Sequence, residues 1–221
     1  MAVLVFRMSI VILKTHMVRR VGTSDGRRAR SVATREKIRL AAWELFTTVG
    51  YDATTTHAIA TRAGVAAGTV FVHASDKADL LFLVMHDRLA VVLEDRLATV
   101  PDGPLLDRLL HVFGGLYRMY GEHPGVAAAF VKHLPGASGP NAQRMTMLTL
   151  SFLHRIGLIV AEAQARGEVS KEVDPMACAQ NLFGLYFLQL MTWLSGHATL
   201  EIALVPLLRD SIALQIRGFR P

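Results

Sequence analysis

Cysteine is nearly absent: Cys178 stands alone among 221 residues. That excludes a disulfide framework and a cysteine-built zinc site, and it fits a reducing cytoplasm. The nine histidines are scattered, with no pair at the three- or four-residue spacing that brings two imidazoles to one helix face. The sequence also lacks Gly-x-Ser-x-Gly, the Walker phosphate loop, Gly-x-Gly-x-x-Gly and His-Glu-x-x-His. No enzyme, no cofactor and no metal site is therefore expected. Aromatics are only 7% and strand-like alternation is missing, so nothing points to a sheet. Charged residues are 19% against 52% hydrophobic, which excludes a disordered chain and provides for a full core.

Long uninterrupted apolar runs are lacking as well. Met8–Leu13 is far too short to span a bilayer, and Arg19 and Arg20 follow it rather than precede it, unlike a signal peptide. Residues 1–26 are expected to be a poorly ordered or mis-called extension, with Met17 an alternative start. Pro175–Leu200 carries no charge, but Gln180, Asn181, Gln189, Thr192, Ser195 and His197 interrupt it. That polar density suits a buried helix contact better than lipid, so no membrane partner is expected.

What is present is helical periodicity and an uneven charge. Residues 1–80 hold 12 Lys+Arg against 6 Asp+Glu, whereas residues 81–221 hold 12 of each. A basic N-terminal third on a neutral body suggests that one part meets a polyanion. Ile38, Ala41, Ala42, Leu45, Phe46 and Val49 share a helix face over 32–49. Thr55 caps a short helix that Gly64 ends, and residues 67–72 make another. Asp76 opens a long helix toward Val100. Breaks at Pro101–Pro104, His123–Gly125 and Pro135–Pro140 separate helices at 105–120, 126–134 and 141–165. Two more are expected, from Asp174-Pro175 to Ser195 and from Thr199 to Arg217.

Thr55–Lys77 reads as a helix, a glycine turn and a second short helix, with Ile59, Ala60, Ala63, Val65 and Val70 as its small core. The second helix begins Ala66-Ala67-Gly68-Thr69, small enough to let its backbone approach a major groove. Thr55, Ala67, Gly68, Thr69, Phe71, Val72, His73 and Lys77 are the candidate DNA contacts. Upstream, Arg27, Arg28, Arg30, Arg35, Lys37 and Arg39 form a basic arm and helix start suited to the phosphate backbone. Arg28 and Arg30 are the candidate contacts within it.

Residues 35–81 resemble the N-terminal domain of the tetracycline-repressor (TetR) family. The residues carrying the resemblance are Ala41-Ala42, Leu45-Phe46, Gly50-Tyr51, Thr54-Thr55, Ile59-Ala60, Ala63-Gly64-Val65, Gly68-Thr69, Lys77 and Leu80-Leu81. Two positions depart from it: Phe71 stands where the family usually has tyrosine, removing a phosphate-binding hydroxyl, and Ala74 where it usually has phenylalanine.

The resemblance implies an all-α chain with an N-terminal three-helix helix-turn-helix domain (27–77). A C-terminal antiparallel helical bundle (78–221) would bind an effector and dimerise. It implies a homodimer paired through the last two long helices, for which Phe187, Leu190, Leu194, Val205, Leu208 and Ile212 are candidates. It also implies an effector pocket in the middle helices, with Met85, Leu89, His111, Phe113, Tyr117, Phe130, Met147, Phe152, Asn181 and Phe183 as candidate lining. The resulting expectation is a transcriptional regulator, a repressor released from a palindromic double-stranded operator by a small apolar effector. The alternatives are an activator, or a helical small-molecule-binding protein or enzyme whose N-terminal lobe is only structural.

Overall fold

The computed structural model describes residues 2–219, with side chains from Asp25 onward. Of the expected extension at 1–26, only Asp25 and Gly26 fall in the part described with side chains. Among the described residues every regular element is a helix.

Helix α1 is Ala2–Thr48. It buries Ile38, Ala41, Ala42 and Phe46, the spacing of one face. Helix α2 is Thr56–Ala63. The Thr55 hydroxyl caps it by accepting the Ala58 N–H at 3.1 Å. Gly64 ends it in the left-handed region at φ 66°, where a side chain would be strained. Helix α3, Ala67–His73, crosses α2 and turns Val70 inward.

Helix α4, Lys77–Ala98, joins this lobe to the body. Six consecutive residues, Leu80 to Met85, are buried. A helix buried all round has neighbours on every side, and α4 packs on α1, α5, α6 and α7. These are α5 (Leu105–Glu122), α6 (Pro124–His133) and α7 (Pro140–Ala165), followed by α8 (Pro175–Leu194). Pro124, Pro140 and Pro175 each stand in a first turn, where their missing N–H costs nothing. Asp174 caps α8 by accepting the Met176 and Ala177 N–H groups.

The expected last helix, Thr199–Arg217, is not continuous. Helix α9 is Leu200–Ile202, the chain kinks within Ala203–Leu208, and α10 is Arg209–Gly218. Val205 is extended at φ −141° and ψ 118°. The cause is Pro206, whose ring disfavours helical backbone in the residue before it. Pro140–Ala165 is long and apolar enough to cross a membrane by length and composition. Yet it lies between α4 and α8 and buries Met145, Phe152, Ile156 and Val160 in the core. The charge-free α8 does the same with Cys178, Leu182, Tyr186 and Leu190.

One carboxylate serves two helix ends. Asp79, fully buried, is the third residue of α4. Its N–H is capped by Asp76 at 2.8 Å, and its own Oδ2 accepts the Ser75 N–H at 3.1 Å. Its Oδ1 accepts the N–H groups of Asn141 and Ala142, both at 3.0 Å. Those are orphan donors of α7, whose N-cap, Gly139, has no side chain to offer them.

Candidate nucleic-acid interface and effector cavity

The outer face of α3 is bare. Ala67 and Gly68 are exposed, as are Phe71 at 54% and Val72 at 76%. Nothing lies within 4 Å of where a Gly68 side chain would begin, so the backbone is open to close approach. Thr69 and His73 are half-buried at the edges of this face, and Thr55 is exposed beside it. Burial, and secondly the Arg35 charge, push the His73 pKa down, so the ring is biased toward its neutral form. Arg28 and Arg30 are exposed on α1, and Arg30 Nε also donates to the Gly26 carbonyl at 3.1 Å.

Lys77 is placed differently from the expected phosphate contact. Its ammonium donates to the Tyr51 and Asp52 carbonyls at 3.0 and 3.1 Å and sits 4.5 Å over the Tyr51 ring. It ties the start of α4 to the α1–α2 turn and thereby sets the angle of the lobe. Arg62 similarly joins α2 to α1 through Glu44 at 2.7 Å.

The body holds a partly open cavity of about 60 Å³ among α4 to α8. Leu89, Leu93, Leu116, Tyr120, Phe130, Val131, Leu134, Met145, Leu148, Thr149, Phe152, Phe183, Tyr186, Phe187 and Leu190 line it. The lining carries no charge, and its polar groups are the hydroxyls of Thr149, Tyr120 and Tyr186. Leu89, Phe130, Phe152 and Phe183, candidates for an effector pocket, are among this lining. Phe113 and Tyr117 lie one layer behind: Phe113 stacks on Tyr186 at 5.0 Å, and the Tyr117 hydroxyl donates to the Tyr186 carbonyl at 3.0 Å. Met85 is buried toward Trp43, and His111 Nε2 meets the Thr99 hydroxyl at 3.1 Å. Met147 is 65% exposed and Asn181 is also exposed, both pointing away from the cavity. A surface groove between α6 and α8 shares Val131 and Phe187 with the cavity and has Lys132 on its wall.

Three buried tyrosines surround this site. Burial pushes Tyr120 up to about 12, and raises Tyr117 and Tyr186 above the ordinary value of 10. The folded state keeps protons that the unfolded state releases above pH 10, so stability is intact below that pH and falls above it. Each such tyrosine costs about 1.4 kcal/mol per pH unit in that window. Denaturant midpoints measured from pH 9 to 12 are expected to drop steeply from pH 10. A flat profile would show the phenols to be hydrated.

The candidate dimer residues divide. Leu190, Leu208 and Ile212 are buried within one chain, and Phe187 stacks on Phe183 at the cavity wall. Leu194 is half-buried and Val205 is 60% exposed. The open face of α8 is instead Ala177, Gly184, Leu188 and Met191, at spacings of three to seven residues. Periodicity could mark these helices as apolar, but not which apolar stripe the chain itself covers.

An exposed second helix of a helix-turn-helix hung on α4, and a hydrocarbon-lined cavity beside the same helix, are what the fold brings together. Residues 38–84 match the family model for bacterial regulatory proteins of the tetR family. No curated protein matches the chain. Among solved structures, it is similar to the TetR-family repressor FadR of Thermus thermophilus in complex with lauroyl-CoA, with 24% identity and a TM-score of 0.69 over 83% of this chain and 94% of that one. It is similar to the regulator FadR of Bacillus subtilis in complex with stearoyl-CoA, with 21% identity and a TM-score of 0.66 over 84% and 99%. The fatty acid degradation regulator FadR of Bacillus halodurans gives 18% identity and a TM-score of 0.64 over 84% and 99%. Residues 38–84 thus match the tetR-family domain model, and the fold of the whole chain is similar to that of these regulators.

Proposed function

We propose that the chain is a homodimeric repressor that leaves a palindromic operator when a fatty acyl thioester occupies its body. The observation that carries this reading is the cavity, whose walls are hydrocarbon and aromatic while its outer groove presents Lys132. An aliphatic tail suits the inside, and an anionic head suits the rim. The similarity to regulators solved with lauroyl-CoA and stearoyl-CoA supports the same class of ligand. At about 60 Å³ the cavity holds only a fragment of such a tail, so occupation must spread α4 from α7 and α8. That spreading is the differential interaction a ligand needs to shift between two shapes.

The test is a mobility shift on DNA upstream of the chain's own gene. The complex is expected to form at low salt and to dissociate with lauroyl-CoA but not with free CoA. Absence of a complex, or equal action by free CoA, would overturn the reading.

The proposed pairing runs across α8, a reading supported by the room Gly184 leaves for a second helix and by Leu188, which is 57% exposed. A two-fold there sets two α3 helices about 34 Å apart for successive major grooves. Leu188→Glu is expected to sediment as a folded monomer with operator binding lost; a dimer would move the seam elsewhere.

A further inference from the structure

The buried contact between Asp79 and Asn141 lies outside both the reading face and the cavity, yet it touches the elements that build each. Besides giving its N–H to Asp79 Oδ1, Asn141 donates from Nδ2 to Asp79 Oδ2 at 3.0 Å and to the His73 carbonyl at 2.8 Å. His73 is the last residue of α3. The Asn141 side-chain oxygen faces Arg35 Nη2 on α1 at 3.5 Å. One buried amide thus holds the end of the recognition helix, the start of α4 and the start of α7 together, with α1 alongside.

The surroundings are shaped for it. Gly139 has φ 107°, and a Cβ there would lie 2.6 Å from both the Asp79 carboxyl carbon and the Ser75 hydroxyl. Only glycine lets α7 start this close to α4. Asp79 and Asn141 are 0% and 2% exposed, so water cannot replace a lost partner without the helices parting. Met145, one turn along α7 on the same face as Asn141, lines the cavity. On α4, Leu89 and Leu93 line it from the other side.

We infer that Asn141, clamped by Asp79, is a positioning residue for DNA recognition: it transmits the separation of α4 and α7 at the cavity to the tilt of α3 through the His73 carbonyl. Spreading the two helices around a ligand pulls on hydrogen bonds to a single carboxylate, which cannot follow both. Either Asn141 stays with Asp79 and draws α3 along, or it releases His73 and frees α3. Both routes change the presentation of Phe71 and Val72. This rests on the effector reading above for its second half only; the hold on α3 stands on the geometry alone.

The test uses full-length Asn141→Ala, with Asp79→Asn as a second variant that keeps the size of the side chain. Amide hydrogen exchange of the free protein is the first readout. Peptides covering 67–76 are expected to exchange about tenfold faster in both variants while those covering 105–122 stay unchanged. Unchanged exchange at 67–76 would overturn the hold on α3. So would equal acceleration in both regions, which is what general loosening produces. Operator affinity with and without lauroyl-CoA is the second readout. In Asn141→Ala the weakening caused by lauroyl-CoA is expected to shrink to under about twofold, with binding of lauroyl-CoA retained. Weakening by the parental factor would overturn the transmission. If lauroyl-CoA fails to act on the parent protein, the acyl-thioester reading fails, and the exchange experiment still decides whether Asn141 positions α3.

Discussion

Val72→Glu is expected to lower operator affinity by at least about a hundredfold while leaving the melting temperature within a degree or two. The side chain is 76% exposed at the outer face of α3 and meets no partner within the protein, and exposed substitutions of this kind shift stability by only about 0.5 kcal/mol. In the proposed complex with DNA the same position would face base edges and flanking phosphates. A carboxylate there loses an apolar contact and adds like-charge repulsion to a surface that must approach a polyanion. Val72→Ala, which removes only the contact, is expected to cost about tenfold or less. Fluorescence anisotropy on a labelled operator, paired with circular-dichroism melting, separates the two quantities. Operator affinity within threefold of the parent for Val72→Glu would show that α3 does not face DNA through this residue.

The second large effect concerns stability. Asp79→Ala is expected to destabilise the chain by about 3–5 kcal/mol, the range for removing one partner from a buried charged network. Its carboxylate accepts the N–H groups of Ser75, Asn141 and Ala142 and the amide of Asn141. The buried N–H groups of Asn141 and Ala142 would be left without water or acceptor, and the Asn141 amide would keep only the His73 carbonyl. For a chain of this length that lowers the melting temperature by about 10 °C. A loss under about 1 kcal/mol would mean that water reaches the site.

The lobe was legible because its signals are local. Thr55 and Asp76 are caps, Gly64 must adopt a left-handed turn, and the small residues between them leave few ways to cross two short helices. The body helices were legible from the proline and glycine loops between them. Pro206 does not stand out in the pattern, because the apolar period runs straight through it; periodicity reports a face, and a backbone without an N–H reports nothing on that scale. The cavity was partly legible for a related reason. Met145 and Met147 look alike in sequence, but two residues are about 200° apart on a helix, so one lines the cavity and the other faces out. Lys77 read as a free cation because the carbonyls it satisfies belong to a turn 25 and 26 residues earlier. Asn141 gave no signal at all: its partners lie 62 and 68 residues away, and no helix-start pattern names an acceptor borrowed from another helix.

The capture of Lys77 by the Tyr51 and Asp52 carbonyls leaves the outward surface of α3 without a full positive charge, while the arginines Arg27, Arg28 and Arg30 ride on α1. On the proposed reading, adhesion and discrimination are therefore housed on different helices. Added salt should loosen the grip on every duplex to a similar degree, leaving the ranking among duplexes, set by methyl groups and groove shape, nearly untouched.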